Sequence, residues 1–177
     1  MVRLQAGRDA GGRLRLLASA RPLGAEPECW RALHSHVPHP GGGRWPGAKR
    51  AGLAAFARAH REARRAGCEE ALLSSSTGAL VEGARSNLFV VDAEGRLRTP
   101  PVRAGAVAGV ARALLLERIP GIRQEPIQRR ELASARELIA VNAVRGVRPV
   151  VDLDGRTVGC GRAGPVAARL AAALAEG

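Results

Sequence analysis

Residues 79–91 read ALVEGARSNLFVV, with apolar runs on both sides of a polar centre. Short apolar segments separated by small and polar residues predict two strands, 79–83 and 87–91, joined by a tight turn. Glu82 interrupts the first apolar run immediately before Gly83, where a strand can open. Its carboxylate therefore either faces water at the end of a strand or points inward at a cationic partner.

Strand and turn signals continue on both sides of this stretch. Residues 71–73 lead into a Ser/Thr/Gly turn at 74–78, and a turn at 92–95 precedes the extended segment 97–101. Because each apolar segment is short and each connection is tight, we predict an antiparallel meander over residues 71–101.

Three segments show the periodicity of amphipathic helices. The first begins just after Lys49 and ends at Gly67, the second spans 107–118, and the third opens at Pro165. Further predicted elements are strands at 122–127, 137–141 and 147–151 and a short helix at 129–135. The expected fold class is α/β (α+β), with mixed sheets and flanking helices.

The N-terminal part is less regular. Residues 1–23 contain polar/apolar alternation about a turn, which predicts a hairpin continuous with the main domain and buried on one face. Residues 24–48 lack periodicity and predict an irregular loop. This loop contains His34, His36 and His39, but no carboxylate or cysteine accompanies them at a recognised spacing, so we predict no metal site.

Composition excludes several classes of protein. The 177 residues are 46% hydrophobic without any apolar run of membrane-spanning length, and no signal-peptide core opens the chain, so we expect a cytoplasmic protein. The net charge of +12 is spread along the chain and only 2% of residues are aromatic, which argues against a nucleic-acid-binding domain. Three widely separated cysteines predict no disulfide framework.

Lys49 is the only lysine among the 28 basic residues; the other 27 are arginines. An arginine stays protonated, whereas a lysine amine can lose its proton and attack a carbonyl carbon. Lys49 is therefore a candidate for covalent chemistry, and a chance lysine at a solvated helix start is the alternative. The small residues at 104–112 favour phosphate at the free N–H groups of a helix start, or simply close packing.

Five blocks, in order along the chain, resemble the class IV (fold-type IV) pyridoxal-phosphate-dependent aminotransferases, and most closely aminodeoxychorismate lyase. The blocks are Lys49, VEGARSNLF at 81–89, RTPP at 98–101, GAVAGVAR at 105–112 and NAVRGVRPV at 142–150. The resemblance implies that residues 49–177 form the large C-terminal, cofactor-binding domain of this family, a pseudo-barrel of mixed and antiparallel sheets. The smaller N-terminal domain of the family is expected to be absent.

The resemblance also implies a set of site residues and a cofactor, pyridoxal 5′-phosphate (PLP). Lys49 would bond covalently to the cofactor and then move the proton at the reacting carbon, and Glu82 would face the pyridine nitrogen. The start of the second helix would hold the phosphate together with the following turn, through Gly109, Val110, Ala111, Asn142 and Ala143. Ser86 and Asn87 would tie the strand of Glu82 in place, and Arg145 would either meet a substrate carboxylate or be a surface arginine.

The activity implied first is that of aminodeoxychorismate lyase, which converts 4-amino-4-deoxychorismate into 4-aminobenzoate and pyruvate for folate biosynthesis. The alternatives are a branched-chain or D-amino acid aminotransferase, or a truncated PLP-binding remnant without turnover. The resemblance implies a small-molecule amino substrate and a homodimer.

Overall fold

The structure is a computed structural model that describes residues 1–43, 46–50 and 53–176. Within these ranges the chain forms eleven strands and three α-helices. The strands are β1 (Val2–Arg8), β2 (Leu14–Ala20), β3 (Trp30–His34), β4 (Glu70–Ser74), β5 (Leu80–Gly83), β6 (Asn87–Val91), β7 (Leu97–Thr99), β8 (Arg123–Gln124), β9 (Glu137–Asn142), β10 (Gly146–Leu153) and β11 (Arg156–Thr157). The helices are α1 (Ala54–Arg65), α2 (Val110–Arg118) and α3 (Pro165–Ala175), with 3₁₀ helices at Val102–Ala104 and Arg129–Ser134.

Nine of the strands form one mixed sheet in the order β5-β4-β3-β10-β9-β6-β7-β8, with β11 paired to β10. β3 runs parallel to both β4 and β10, and β7 runs parallel to β8, while the other ladders are antiparallel. β5 and β6 contact each other although four strands separate them in the sheet order. The sheet therefore curls into a half-barrel, and the predicted α/β class and pseudo-barrel are confirmed.

Both faces of the curled sheet are buried. One face carries a core that includes Trp30, Leu72, Leu88 and Leu138. On the opposite face α2 and α3 cover a second cluster, and α1 covers a third around Ala59. Strands covered on both faces are continuously apolar, which explains the unbroken hydrophobic runs of the central strands.

The predicted meander over 71–101 is wrong at its centre. The four strands are present, and the Gly83 N–H bonds to the Ser86 carbonyl across a tight turn, but β5 and β6 do not share a ladder. β6 instead pairs with β9, about fifty residues further along the chain. Pairing with a distant buried strand has replaced pairing with the strand next in sequence.

The irregular loop predicted for 24–48 is wrong for residues 30–34. These residues form β3, which lies between β4 and β10 in the sheet. Trp30, Ala32 and His34 face inward and are buried. Since alanine and histidine occupy two of the three inward positions, the segment lacks the strong apolar alternation by which a strand is recognised.

The N-terminal hairpin forms as predicted, but its buried face does not. β1 and β2 pair with each other as a separate two-stranded sheet. Val2 and Leu4 are 70% and 78% exposed, and the strands are exposed on both faces. The limits 1–23, 24–48 and 49–177 as domain boundaries stay a prediction.

The second helix is three residues shorter than predicted. It begins at Val110, because Gly105 adopts the left-handed conformation and Gly109 is extended. Val110 is 67% exposed, whereas Ala111 and Leu115 are buried. The predicted strand 122–127 is reduced to β8, and the short helix at 129–135 is a 3₁₀ helix. None of the helices in the described ranges has the length and apolar character needed to span a membrane.

Candidate active site

Glu82 is the second-last residue of β5 and points inward, and its side chain is only 4% exposed. Its Oε2 accepts hydrogen bonds from the Val107 backbone N–H at 3.0 Å and from the Asn87 amide at 3.4 Å. Its Oε1 lies 3.1 Å from Nε2 of His39. The inward orientation was one of two predicted options, but no lysine or arginine of the described chain pairs with this carboxylate.

One short segment, the 105–109 loop (residues 105–109), connects Glu82 to its surroundings. Val107 donates to Glu82, and the next residue, Ala108, donates its N–H to the Gly47 carbonyl at 2.9 Å. Gly109 is the N-cap residue of α2. The loop therefore joins the carboxylate, the segment that carries the lysine and the start of a helix.

Lys49 lies outside the helices and strands, N-terminal to α1, and is exposed. Its side chain makes no hydrogen bond or ion pair with any residue that the structure describes. The Gly47–Ala108 hydrogen bond holds the preceding residues against the 105–109 loop. The lysine is thus attached to the Glu82 neighbourhood through backbone, while its amine is open to a ligand.

The N-terminus of α2 has no side-chain cap and no acidic residue in its first turn. The N–H groups at such an end have no intrahelical partners and attract anions, phosphate in particular. Val110 is exposed there and Ala111 is buried, so Ala111 can contribute its backbone but no side-chain hydroxyl. This helix start can hold a phosphate by main-chain contacts.

Asn87 connects this helix start to Glu82. Its amide donates to the Val107 carbonyl at 2.9 Å as well as to Glu82. A Cβ atom added at Gly109 would overlap Asn87 Oδ1, so only glycine allows this approach of loop and strand. Asn87 therefore braces both the carboxylate and the entry to α2.

Ser86 contacts Glu70, a residue of β4, the strand that pairs with the strand of Glu82. Its hydroxyl donates to Glu70 Oε2 at 2.6 Å and does not contact Glu82. Glu70 is completely buried, and burial raises its pKa against the opposing hydrogen bonds from Ser86 and the Ala71 N–H. Ser86 and Glu70 thus stabilise the turn behind the site.

Asn142 and Ala143 form the turn between β9 and β10. The Asn142 Oδ1 accepts the N–H groups of Val144 at 2.9 Å and Arg145 at 2.7 Å, and Ala143 is exposed. Among the described residues no hydrogen bond joins this turn to Glu82 or to the 105–109 loop. The structure thus connects Glu82, Asn87 and Gly109 directly, and leaves the second predicted phosphate turn separate from them.

Arg145 is not the surface arginine that was one of the predicted options, since its side chain is only 14% exposed. Its Nη2 lies 3.2 Å from Glu26 Oε1, and Arg85 approaches the same oxygen at 3.1 Å. Arg85 also lies over the Trp30 ring, 5.2 Å from its centroid. Glu26 therefore holds two guanidinium groups together.

His39 and Glu26 are the two site residues that sequence reasoning missed. Both lie in the segment expected to be an irregular loop, and their partners are 43 and more residues away in sequence. The three clustered histidines contact three different carboxylates, His34 with Asp154, His36 with Glu62 and His39 with Glu82. Their spacing in the sequence contained no sign of these partners.

The comparison with known families matches residues 1–153 to the family described as amino-transferase class IV. The chain belongs to the class IV aminotransferase family. Among its curated relatives are a probable branched-chain-amino-acid aminotransferase of Aquifex aeolicus, 32% identical over 117 residues, and the branched-chain-amino-acid aminotransferase of Escherichia coli K12, 34% identical over 113 residues. The alignments cover 63% and 62% of this chain but only 37% and 36% of those proteins.

Solved structures of the class IV aminotransferase family have the same fold. The Escherichia coli branched-chain amino acid aminotransferase superposes with a TM-score of 0.80 and 31% identity, covering 92% of this chain and 57% of its own. An aminotransferase from Brucella abortus bound to the cofactor PLP has a TM-score of 0.77 and 26% identity, covering 96% and 64%. This chain therefore spans less than two thirds of the length of these relatives.

The names of these relatives bear on the predicted activity. The Escherichia coli protein is named a branched-chain aminotransferase, the Aquifex aeolicus protein a probable one and the Brucella abortus protein an aminotransferase, and none of the three is named a lyase. They do not support the leading prediction, aminodeoxychorismate lyase, and they favour the branched-chain alternative.

Proposed function

We propose that this chain is the cofactor-binding part of a PLP-dependent aminotransferase that acts on branched-chain amino acids. The observation that carries the proposal is the 105–109 loop, which contacts Glu82, precedes the uncapped start of α2 and binds the segment leading to Lys49. The curated relatives support the branched-chain substrate class.

The residues present fit PLP on their charge. Glu82 is a buried carboxylate whose described partners are an imidazole, an amide and a backbone N–H, so its negative charge has no cationic partner among them. A buried charge of this kind favours a positively charged ligand group, such as a protonated pyridine nitrogen. The opposite charge on the ligand, a phosphate, suits the N–H groups at the start of α2.

Each residue then has a role that its own chemistry allows. PLP, when bound, supplies a protonated ring that withdraws electrons from the α-carbon of the amino substrate. Lys49 would hold the cofactor covalently and, once released by the substrate amine, accept and return the proton at that α-carbon. Gly109, Val110 and Ala111 would bind the phosphate through their backbone, and we assign Asn142 and Ala143 to the far side of the same group.

Arg145 is the proposed substrate ligand with the weakest support. Its guanidinium already contacts Glu26, so it would bind a substrate carboxylate only by exchanging one carboxylate for the other. A homodimer and a cytoplasmic location also remain part of the proposal on the family resemblance. Light scattering of the purified chain measures its oligomeric state directly.

The decisive experiment is covalent labelling. Purified chain is mixed with PLP, reduced with borohydride and mapped by peptide mass spectrometry, and the label is expected on Lys49. Lys49→Arg keeps the positive charge and is expected to lose the label, because an arginine cannot form the bond. Arg58→Lys is the matched control, since it adds a second, exposed lysine on α1 that should stay unlabelled.

Product analysis then separates the remaining alternatives. Transfer of the amino group from leucine, isoleucine or valine to a 2-oxo acid is expected. Pyruvate release from 4-amino-4-deoxychorismate in its place would restore the lyase prediction. A labelled Lys49 without either product would mean a PLP-binding chain without turnover, and an unlabelled Lys49 would refute the proposal as a whole.

A further inference from the structure

His39 is held between two partners inside the protein. Its side chain is 2% exposed, its Nδ1 accepts the Gly41 N–H at 3.0 Å, and its Nε2 lies 3.1 Å from Glu82 Oε1. Both ring nitrogens are therefore engaged, one by a donor and one by an acceptor.

These two contacts determine the protonation state of the ring. Nδ1 can accept the Gly41 N–H only if it carries a lone pair, so the proton of the imidazole resides on Nε2. Nε2–H then donates to Glu82. A doubly protonated ring would place two N–H groups against each other at Gly41, so the contacts of His39 require the neutral ring.

Close packing also opposes a flip of the imidazole ring, which would exchange the positions of its two nitrogens. Phe56 packs edge-on against it, with centroids 5.4 Å apart and an interplanar angle of 86°. On another side the backbone at Gly105 is so close that an added Cβ would lie 3.1 Å from His39 Cε1. The backbone N–H of His39 donates to the Ser74 carbonyl at 2.9 Å, which anchors the residue to the end of β4.

A neutral donor has a consequence that a cationic one would not have. An arginine in this place would orient Glu82 and also compensate its charge. His39 orients the carboxylate and leaves its negative charge in place, in a region where a charge interacts strongly because water is excluded. The carboxylate is thereby pre-positioned for a cation that the protein itself does not provide.

We propose that His39 is a positioning residue that holds Glu82 ionised and aimed at the pyridine nitrogen of PLP by donating its Nε2–H. The inference rests on the proposed function for the identity of the cation. The tautomer of His39 does not depend on that function, and it can be measured without cofactor.

The first test is NMR of the ¹⁵N-labelled chain without PLP. Long-range ¹H–¹⁵N spectra distinguish the two neutral tautomers and the charged ring, and the chain has only four histidines. The His39 signal, identified by its loss in His39→Gln, is expected to show the Nε2–H form. An Nδ1–H tautomer or a charged ring at neutral pH would overturn the inference.

The second test compares PLP with its analogue in which carbon replaces the pyridine nitrogen. The unmodified chain is expected to prefer PLP, and His39→Phe, which keeps a ring but cannot donate, should reduce that preference roughly ten- to a hundredfold, the loss typical of a hydrogen bond to a charged group. His39→Gln retains an N–H donor and should preserve most of the preference. If the Phe variant fails to fold, the preference of His39→Gln for PLP over the analogue still tests the inference.

The outcomes separate the two proposals. An unchanged preference in His39→Phe, or an equal loss in both variants, would refute the positioning role while leaving PLP binding intact. Absence of PLP binding to the unmodified chain, with the Nε2–H tautomer present, would refute the proposed function and with it the assigned cation.

Discussion

The Gly47 carbonyl accepts the backbone N–H of Ala108 at 2.9 Å, and this hydrogen bond joins two residues that are 61 positions apart in the sequence. On one side the chain continues to Lys49, and on the other Val107 donates to Glu82. The relation between the only lysine and the buried carboxylate therefore depends on backbone contacts near two glycines, Gly47 and Gly109.

Gly47→Ala is expected to reduce labelling of Lys49 by PLP several-fold. Gly47 has a φ of +78°, and an added Cβ would lie 3.1 Å from Val102 Cγ1 and 3.3 Å from Ala108 Cβ. The segment would have to move away from the 105–109 loop, taking Lys49 with it. The measurement is the labelled fraction after borohydride reduction.

The matched control for this substitution is Gly12→Ala. Gly12 has a nearly identical φ of +77° with no atom within 4 Å of an added Cβ, so it tests backbone strain without crowding. Equal labelling in Gly47→Ala and the unmodified chain would show that the contact of Gly47 with the 105–109 loop does not position the lysine.

Gly109→Ala is expected to lower the free energy of unfolding by about 1–3 kcal/mol, the usual effect of overpacking. The added methyl would overlap Asn87 Oδ1, and displacing Asn87 removes a donor from both Glu82 and the Val107 carbonyl. Urea denaturation measures the change. Gly24→Ala is the control, because Gly24 has open space and no positive φ, and a similar loss there would contradict the explanation.

Glu26→Gln is expected to destabilise the fold by about 1–3 kcal/mol, since it leaves two partly buried guanidinium groups, those of Arg145 and Arg85, without their shared carboxylate. The side chains of Glu26 and Arg145 are 16% and 14% exposed. Glu94→Gln, in which the carboxylate is 63% exposed, should change stability little. If the two variants unfold at the same denaturant concentration, Glu26 does not hold the arginines.

The protein is expected to lose stability as the pH falls below about 6.5. Burial lowers the pKa of His60, helped by Arg85 and Arg64, and burial lowers the pKa of His34 against the opposing effect of Asp154. The folded state then binds fewer protons than the unfolded state between these lowered values and the ordinary 6.5. Stability is therefore complete above this window and decreases as the unfolded chain takes up protons.

Melting temperatures measured across this range test the prediction. His60→Gln cannot take up a proton and should show a smaller loss on acidification. His36→Gln is the control for removing a histidine, because the His36 side chain is 96% exposed. A His60→Gln profile as steep as that of the unmodified chain would contradict the assignment.

Much of the secondary structure was predictable because it is encoded locally. The helices α1 and α3, the end of α1 just before Gly67 and the strands around Glu82 all follow from periodicity and turn residues within a few positions. β3 was not predictable in this way, since its inward residues include Ala32 and His34. Its strand character comes from pairing with β4 and β10 rather than from its own composition.

By itself the sequence determined the family, the single lysine, the carboxylate at Glu82 and the small-residue start of α2. Only the tertiary structure decided that β6 pairs with β9, that Glu26 holds Arg145 and that His39 donates to Glu82. The physical reason is the range of the interactions. Periodicity indicates which face of a contiguous segment is buried. Hydrogen-bond partners 43 or more residues apart depend instead on the spatial order of the strands in the folded sheet.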